Sequence, residues 1–208
     1  PASVVLHSGS FSLDRRIEAN IQVLRGVEGL FDSRRDVTRG EFRAYVAAMR
    51  LERHFPGIQG VGFSRLIRPE EKAAHVRAVR AEGFPGYALK PGGERNLYSS
   101  IVYLEPFDWR NQRAFGYDMY SEPVRRQAME AARDSGEARL SGKVTLVQET
   151  DTEVQAGVLL YLPIYAASGK FAAPGERRAK LIGWAYSPLR MSNLMTGLLQ
   201  REHPELEG

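Results

Sequence analysis

An α+β fold with long helices at both ends and an antiparallel-looking run of strands between them is what this sequence predicts. Three observations carry that prediction. Leu13, Ile17, Ile21, Leu24 and Phe31 recur at helical spacing, with Asp, Arg and Glu between them. The stretch "VQAGVLLYLPIY" is nearly continuous apolar sequence, as a strand buried on both faces is. The order of signals also runs from helices through mixed elements to a series of strands, which is the pattern of an α+β fold.

Taken in order, the first apolar spacing predicts one amphipathic helix over about 12–35. Thr38 followed by Glu41 reads as a capping box that opens a second helix, with Phe42, Tyr45, Val46 and Met49 on its inner face. The segment "HFPGIQGVGFSRLI" ends that helix at Pro56-Gly57 and continues as a strand through about Ile67. Its glycines, Gly57, Gly60 and Gly62, lack the spacing of a dinucleotide-binding loop and open no helix, so they read as turn residues before a strand. Pro69-Glu70-Glu71 starts another helix, because proline suits the first turn and acids suit its positive end. Gly83 ends it, and "GFPGYALKPGGERN" is loop or edge structure.

"LYSSIVYLEP" then reads as a strand stopped by Pro106. Ser121 is the expected N-cap of a helix over about 122–134, which Gly136 terminates. "ARLSGKVTLVQE" alternates in part, and the apolar run at about 154–165 follows it. "PGERRAKLIGWAYS" reads as a polar loop and then a strand. A final helix over about 189–201 carries Leu189, Leu194, Leu198 and Leu199.

Composition narrows the function. The 208 residues, 43% hydrophobic and 26% charged, are enough for a sizeable core in an ordinary globular protein. No run approaches the ~20 apolar residues of a membrane-spanning helix, and no basic segment leads an apolar secretory signal. The chain begins with Pro1 rather than Met and reads as a piece of something longer. Its net charge is +4, but the arginine pairs (Arg15-Arg16, Arg34-Arg35, Arg125-Arg126, Arg177-Arg178) are dispersed among acids. They read as solvated surface and not as the basic stripe of a nucleic-acid binder. The absence of cysteine excludes disulfides and thiolate metal sites.

Catalytic signatures are missing. His7, His54, His75 and His203 form no metal-ligand pair, and there is no nucleophile elbow, phosphate loop or cofactor motif. Chemistry-bearing residues concentrate instead in "YLEPFDWRNQRAFGYDMYS", where Glu105, Asp108 and Asp118 sit among six aromatic rings. Glu105 and Asp108 flank Pro106 and read as turn and surface residues, although a glycosidase also needs two nearby carboxylates. Asp118 precedes the expected helix start by a few residues. It can bond the backbone amides of that helix, or orient a polar ligand in an aromatic- and Met-lined pocket, and the two roles are compatible. Tyr103 and Phe115 are aromatic candidates for the same pocket.

Over about 40–187 the chain resembles the CHASE domain, an extracytoplasmic sensory module of membrane-bound histidine kinases and nucleotide cyclases. The resemblance rests on an ordered set: "FPGIQGVGFSRLI", the segment from "VYLEPFDWRNQRAFGYDMYSEPVRRQAMEAARDSGEARL" to "SGKVTLVQE", and "GVLLYLPIY" followed by "LIGWAYSPL". It implies a long N-terminal helix followed by two PAS-like α/β subdomains, the distal one holding the ligand. The implied division is residues 1–37 as stalk and dimerisation helix, 38–187 as sensory domain, and 188–208 as a helix leading toward a membrane segment. It further implies a homodimer anchored in a cell membrane, with this portion on the periplasmic or extracellular side, no catalysis and no cofactor. High Arg and Ala usage, as in "RAYVAAMRLERH", points to a bacterial source.

Plant members bind adenine-derived hormones, so the implied ligand is a small molecule, purine-like in those relatives. Their purine-contacting aspartate falls at Asp118, and a leucine contact falls near Leu146 or Val147. A small hydroxylated residue of the family's pocket strand matches Tyr161, whose ring takes up room that a purine with a tail needs. Two rival functions stand beside this one: an ectodomain that senses a protein partner, and a carboxylate-dependent hydrolase.

Overall fold

The computed structural model describes residues 2–34, 36–55, 57–147, 156–166 and 171–192, with backbone alone over 2–12. Helix α1 spans Ala2–Ser33 and contains the stretch predicted helical, up to Ser33. Its second half is no free stalk, because Val23, Leu24, Val27 and Phe31 are buried in the main core. The capping box at Thr38 forms as expected: the hydroxyl accepts from the Glu41 amide at 3.3 Å, and the Glu41 carboxylate accepts from the Thr38 amide at 2.8 Å. Helix α2, Arg39–Met49, buries Phe42 and Val46. It stops at Arg50, which adopts the left-handed conformation at φ 49°, and the single turn α3, Leu51–His54, follows.

Six strands follow: β1 Val61–Ile67, β2 Tyr98–Glu105, β3 Arg139–Leu140, β4 Val144–Thr145, β5 Ala156–Tyr165 and β6 Leu181–Arg190. Helices α4 Lys72–Ala81, α5 Trp109–Gln112, α6 Pro123–Ser135 and α7 Pro174–Lys180 are interleaved with them. All six strands belong to one antiparallel sheet in the order β2-β1-β6-β5-β3, with β4 also on β5. The α+β class, the long N-terminal helix and the antiparallel sheet are as predicted. Where two subdomains with a sheet each were expected, the described strands form a single sheet.

Three local expectations give way. "PGERRAK" is a helix and not a loop, since Pro174 sits in its first turn with Glu176, while Arg177, Arg178 and Lys180 sit at its negative end. Asp134 then ties α6 to α7 through Arg178, and Arg178 together with Arg133 holds its carboxyl well below the usual range. Ser121 does not cap α6, because the residue before Pro123 is pushed to extended backbone and takes that place. That residue is Glu122, whose carboxylate accepts from the Val124 and Arg125 amides, both at 2.9 Å. Leu189 lies in β6, opposite Val158, and not in a C-terminal helix. Met191 and Ser192 are helical, and the rest of that predicted helix, with Leu194, Leu198 and Leu199, falls outside the described residues.

Alternation along β5 divides the core in two. Leu160, Leu162 and Ile164 face α1 and α2, together with Phe63 and Val102. Leu159 and Tyr161 face the opposite way, toward α6, with Trp184 and Tyr186 of β6. A third cluster, Ile67, Val79, Tyr87, Leu89 and Tyr98, lies under α4 and the loop after it.

Candidate functional site

Asp118 sits just before a 3-10 turn, Met119–Ser121, and is fully buried. One carboxylate oxygen, Oδ1, accepts from the Ser99 amide at 2.8 Å and the Tyr120 amide at 3.1 Å. The other, Oδ2, lies 3.3 Å from Arg95 Nη1, an ion pair that makes no hydrogen bond. Burial raises its pKa, against the lowering effect of the Ser99 amide and Arg95. The carboxylate therefore clamps the turn to β2, so the capping role is realised on tertiary as well as local partners.

Its neighbours Tyr117 and Met119 line a small cavity between the sheet and α6, together with Leu146, Val147 and Arg125. Ile101, Leu159 and Tyr186 complete its sheet side. The volume is about 10 Å³, room for roughly one water. Tyr161 stands behind Met119, with its hydroxyl 3.0 Å from the Met119 sulfur and its ring 6.3 Å from that of Tyr186. The structure thus gathers Leu146, Val147 and Tyr161 at one place, with Asp118 holding the turn that forms one wall.

Tyr103 and Phe115 are not part of it. Tyr103 packs on Phe42 at 5.3 Å and donates to the Val37 carbonyl at 2.8 Å, on the α2 side of the sheet. There it edges an open groove of about 510 Å³ that also contains Arg39, Arg65 and His75. Phe115 joins Phe84, Tyr87 and Phe107 in an aromatic cluster, and the Arg39 guanidinium lies over both Phe115 and Tyr103. Glu105 is buried and not at the surface, paired with Arg43 at 3.1 Å. Asp108 caps α5 by accepting from the Asn111 amide at 2.8 Å. Each of these two carboxylates is thus engaged by its own neighbours.

Two features of the cavity were missed in the sequence. Arg125 is 4% exposed, although its pair was read as solvated surface. It falls on one stripe of α6 with Ala128, Met129 and Ala132, a spacing that marks a buried helical face. Gly62 was read as a turn residue, yet it lies in β1 directly opposite Tyr186. A Cβ there would stand 2.4 Å from the Tyr186 ring and 2.7 Å from the Tyr103 carbonyl oxygen. The glycine lets the tyrosine lie flat across β1, and a glycine inside a strand is the signal for such a close approach.

The electrostatics of the cavity are lopsided. Arg125 Nη2 donates to the Thr145 carbonyl at 2.7 Å, while Nη1 has only long contacts, 3.4 Å to Glu122 and 3.5 Å to the Tyr117 hydroxyl. The Tyr186 hydroxyl is buried and has no hydrogen-bond partner. Burial pushes the Tyr161 and Tyr186 phenols far up, so both remain protonated donors.

Among known proteins, the CHASE domain family matches residues 35–207. No curated protein matches the chain. Among solved structures, the periplasmic sensory domain of a Campylobacter jejuni chemoreceptor is similar at 11% identity and a TM-score of 0.51, covering 99% of this chain and 64% of that one. The ligand-binding domain of a Pseudomonas aeruginosa amino-acid chemoreceptor, solved with GABA, is similar at 10% identity and a TM-score of 0.50, covering 97% and 65%. The chain thus spans just under two thirds of the length of these sensory domains, and at such identities the likeness is one of fold, PAS-like with an N-terminal helix.

Proposed function

The chain belongs to the CHASE family of non-catalytic, extracytoplasmic sensory domains of membrane receptors, and from that premise we propose that it binds a small molecule between the sheet and α6. The observation that carries this reading is the cavity at Tyr117, Met119, Arg125, Leu146, Val147 and Tyr186, where the unpartnered Tyr186 hydroxyl and a loosely held Arg125 nitrogen meet an apolar wall. Binding sites combine those two properties, because apolar walls supply affinity and a few polar groups fix orientation. Leu146 and Val147 contribute contacts, Tyr161 backs Met119, and Asp118 keeps Tyr117 and Met119 in place. The two larger grooves by Tyr103 are open surface and offer less enclosure.

Signalling requires that the ligand prefer one of two arrangements. Strand β5 is the physical link, since Leu159 lines the cavity on one face while Leu160, Leu162 and Ile164 hold α1 on the other. Widening the cavity moves β5 against α1, and α1 carries the displacement toward a membrane segment and an output domain, a histidine kinase or a cyclase. A homodimer formed along α1 would convert that displacement into a change between subunits.

The test is thermal unfolding of this chain against purines, amino acids, polyamines and small organic acids. A ligand at 100 times its Kd adds ~2.7 kcal/mol, which raises Tm by several degrees. Val147 sits half-buried at the rim, so Val147→Trp blocks the cavity at little cost to the fold. A hit abolished by Val147→Trp supports the reading. A hit that ignores Val147→Trp moves the site elsewhere, and no hit at all favours an ectodomain that senses a protein partner.

A further inference from the structure

The cavity has more hydrogen-bond donors than acceptors. Arg125 presents N–H groups only, with one of its two terminal nitrogens held by short contact to Thr145 and the other by contacts of 3.4 and 3.5 Å. Tyr161 spends its proton on the Met119 sulfur, a weak acceptor that a hydroxyl takes when no oxygen is in reach. Tyr186, 1% exposed, has no partner at all. Buried hydroxyls are satisfied in the great majority of folded proteins, so an orphan beside a guanidinium needs an explanation. Glu122 gives Arg125 Nη1 a long ion pair at 3.4 Å while its oxygens also accept from the Val124 and Arg125 amides, and it makes no bond to the Tyr186 hydroxyl.

A pair of acceptor oxygens in this lining would give the Tyr186 hydroxyl a partner and Arg125 Nη1 a closer one, with the Tyr117 hydroxyl also in the lining. A planar carboxylate fits the fork of a single guanidinium and accepts charge-assisted bonds, which are the strong ones. The wall facing these donors is Ile101, Leu146 and Leu159, which suits a short hydrocarbon stub and offers nothing to a second charge. The cavity has room for about one water, so such a ligand enters only with an outward shift of the buried Leu146 and the half-buried Val147, which follow the two-residue strand β4.

We infer that the ligand of this site is a small monocarboxylate, its carboxylate held by Arg125 with the Tyr186 and Tyr117 hydroxyls and its apolar end against Ile101, Leu146 and Leu159. The inference rests on the reading that the cavity is a ligand site, and it adds the chemical class.

The probes are sodium acetate, propionate and butyrate, each run against the matching neutral amide and against sodium chloride at equal ionic strength. Adenine is included as the purine arm. Wild type, Tyr186→Phe, Arg125→Gln and Val147→Trp are followed by thermal unfolding and titration. The expected result is stabilisation by at least one acid and by none of the amides. Tyr186→Phe should weaken that acid about tenfold, as the loss of one hydrogen bond to a charge does, while its unliganded Tm stays at or above wild type. That combination separates a ligand contact from a structural role, because the hydroxyl has no internal bond to lose. Arg125→Gln should abolish binding, and if it does not fold, Tyr186→Phe decides alone. Equal stabilisation by acid and amide overturns the inference, as does an acid response unchanged in Tyr186→Phe. Adenine or another neutral or cationic molecule binding, blocked by Val147→Trp while the acids are silent, overturns the carboxylate and leaves the sensory reading standing. Silence toward every probe in the wider panel sinks both.

Discussion

The two faces of the sheet are built from the same strands and differ in what they bury. Toward α1 and α2, Phe63, Val102, Leu160, Leu162 and Ile164 meet Leu24, Val27 and Phe31, and the buried side chains of that cluster are all apolar. Toward α6, the same alternation presents Tyr161, Tyr186 and Trp184, and the helix answers with Arg125 as well as Ala128, Met129 and Ala132. Trp184 donates to the Met129 carbonyl at 2.9 Å, so its polar atom is accounted for, whereas the Tyr186 hydroxyl is not. Apolar packing dominates the first face, with Tyr103 bonded to the Val37 carbonyl at its edge. The second bears polar groups that packing does not need, and a strand shared by both faces couples them. The period of two along β5 thus separates an apolar face from one that keeps polar groups.

Substitutions at four positions sharpen or break that contrast. The largest effect is expected on the apolar face. Phe63 is fully buried, 4.4 Å from the Phe31 ring, so Phe63→Ala should cost about 3–5 kcal/mol in urea denaturation. Ligand response per folded molecule should be unchanged, and a selective loss of response there would place the site on the wrong face.

Asp118→Ala should cost about 2–4 kcal/mol, because the Ser99 and Tyr120 amides lose their acceptor and Arg95 its counter-charge. Asp118→Asn should restore much of it, since an amide oxygen still accepts from both amides. An unliganded Tm unaffected by the alanine would make Asp118 a ligand contact in place of a clamp.

His75 provides the pH dependence. It bonds the Tyr87 hydroxyl at 2.8 Å, and burial together with Arg65 lowers its pKa to about 4, against a smaller opposing effect of Glu71. The folded state prefers neutral imidazole, so the unfolded chain binds more protons between pH 6.5 and 4. The stabilising contribution is therefore complete above about pH 6.5 and is lost as the pH falls toward 4, by roughly 2–3 kcal/mol. Unfolding free energies measured across that range should lose this slope in His75→Gln. A slope that survives in the variant belongs to other groups.

The smallest effect is expected from Tyr161→Phe. Its hydroxyl gives up only a bond to sulfur, so the cost should stay below about 1 kcal/mol by calorimetry. A larger loss would mean that the α6 face depends on that hydroxyl for stability, and the contrast between the faces would blur.

What the sequence determined by itself is local in origin. The capping box at Thr38 and Glu41, the stop at Pro106, the left-handed Gly136 after α6 and the apolar run of β5 each depend on neighbours a few residues away, and each is in the structure where it was expected. Proximity in the chain also misled. Ser121 looked like the cap until the restriction imposed by Pro123 gave that place to Glu122, and the acids of 105–118 looked like one cluster while their partners are Arg43, Asn111, Ser99 and Arg95. Leu146, Val147 and Tyr161, taken from the resemblance to a family, lie together beside Met119; Tyr103 and Phe115, chosen because they are aromatic and nearby, lie in the Arg39 cluster. Only the tertiary structure decided that Arg125 is buried while Arg126 beside it is exposed, and that Gly62 makes room for Tyr186. Those outcomes depend on which face of α6 meets the sheet and which residue of β6 stands opposite β1. Such pairings are set by the packing of segments far apart in the chain, where no propensity or spacing rule reaches.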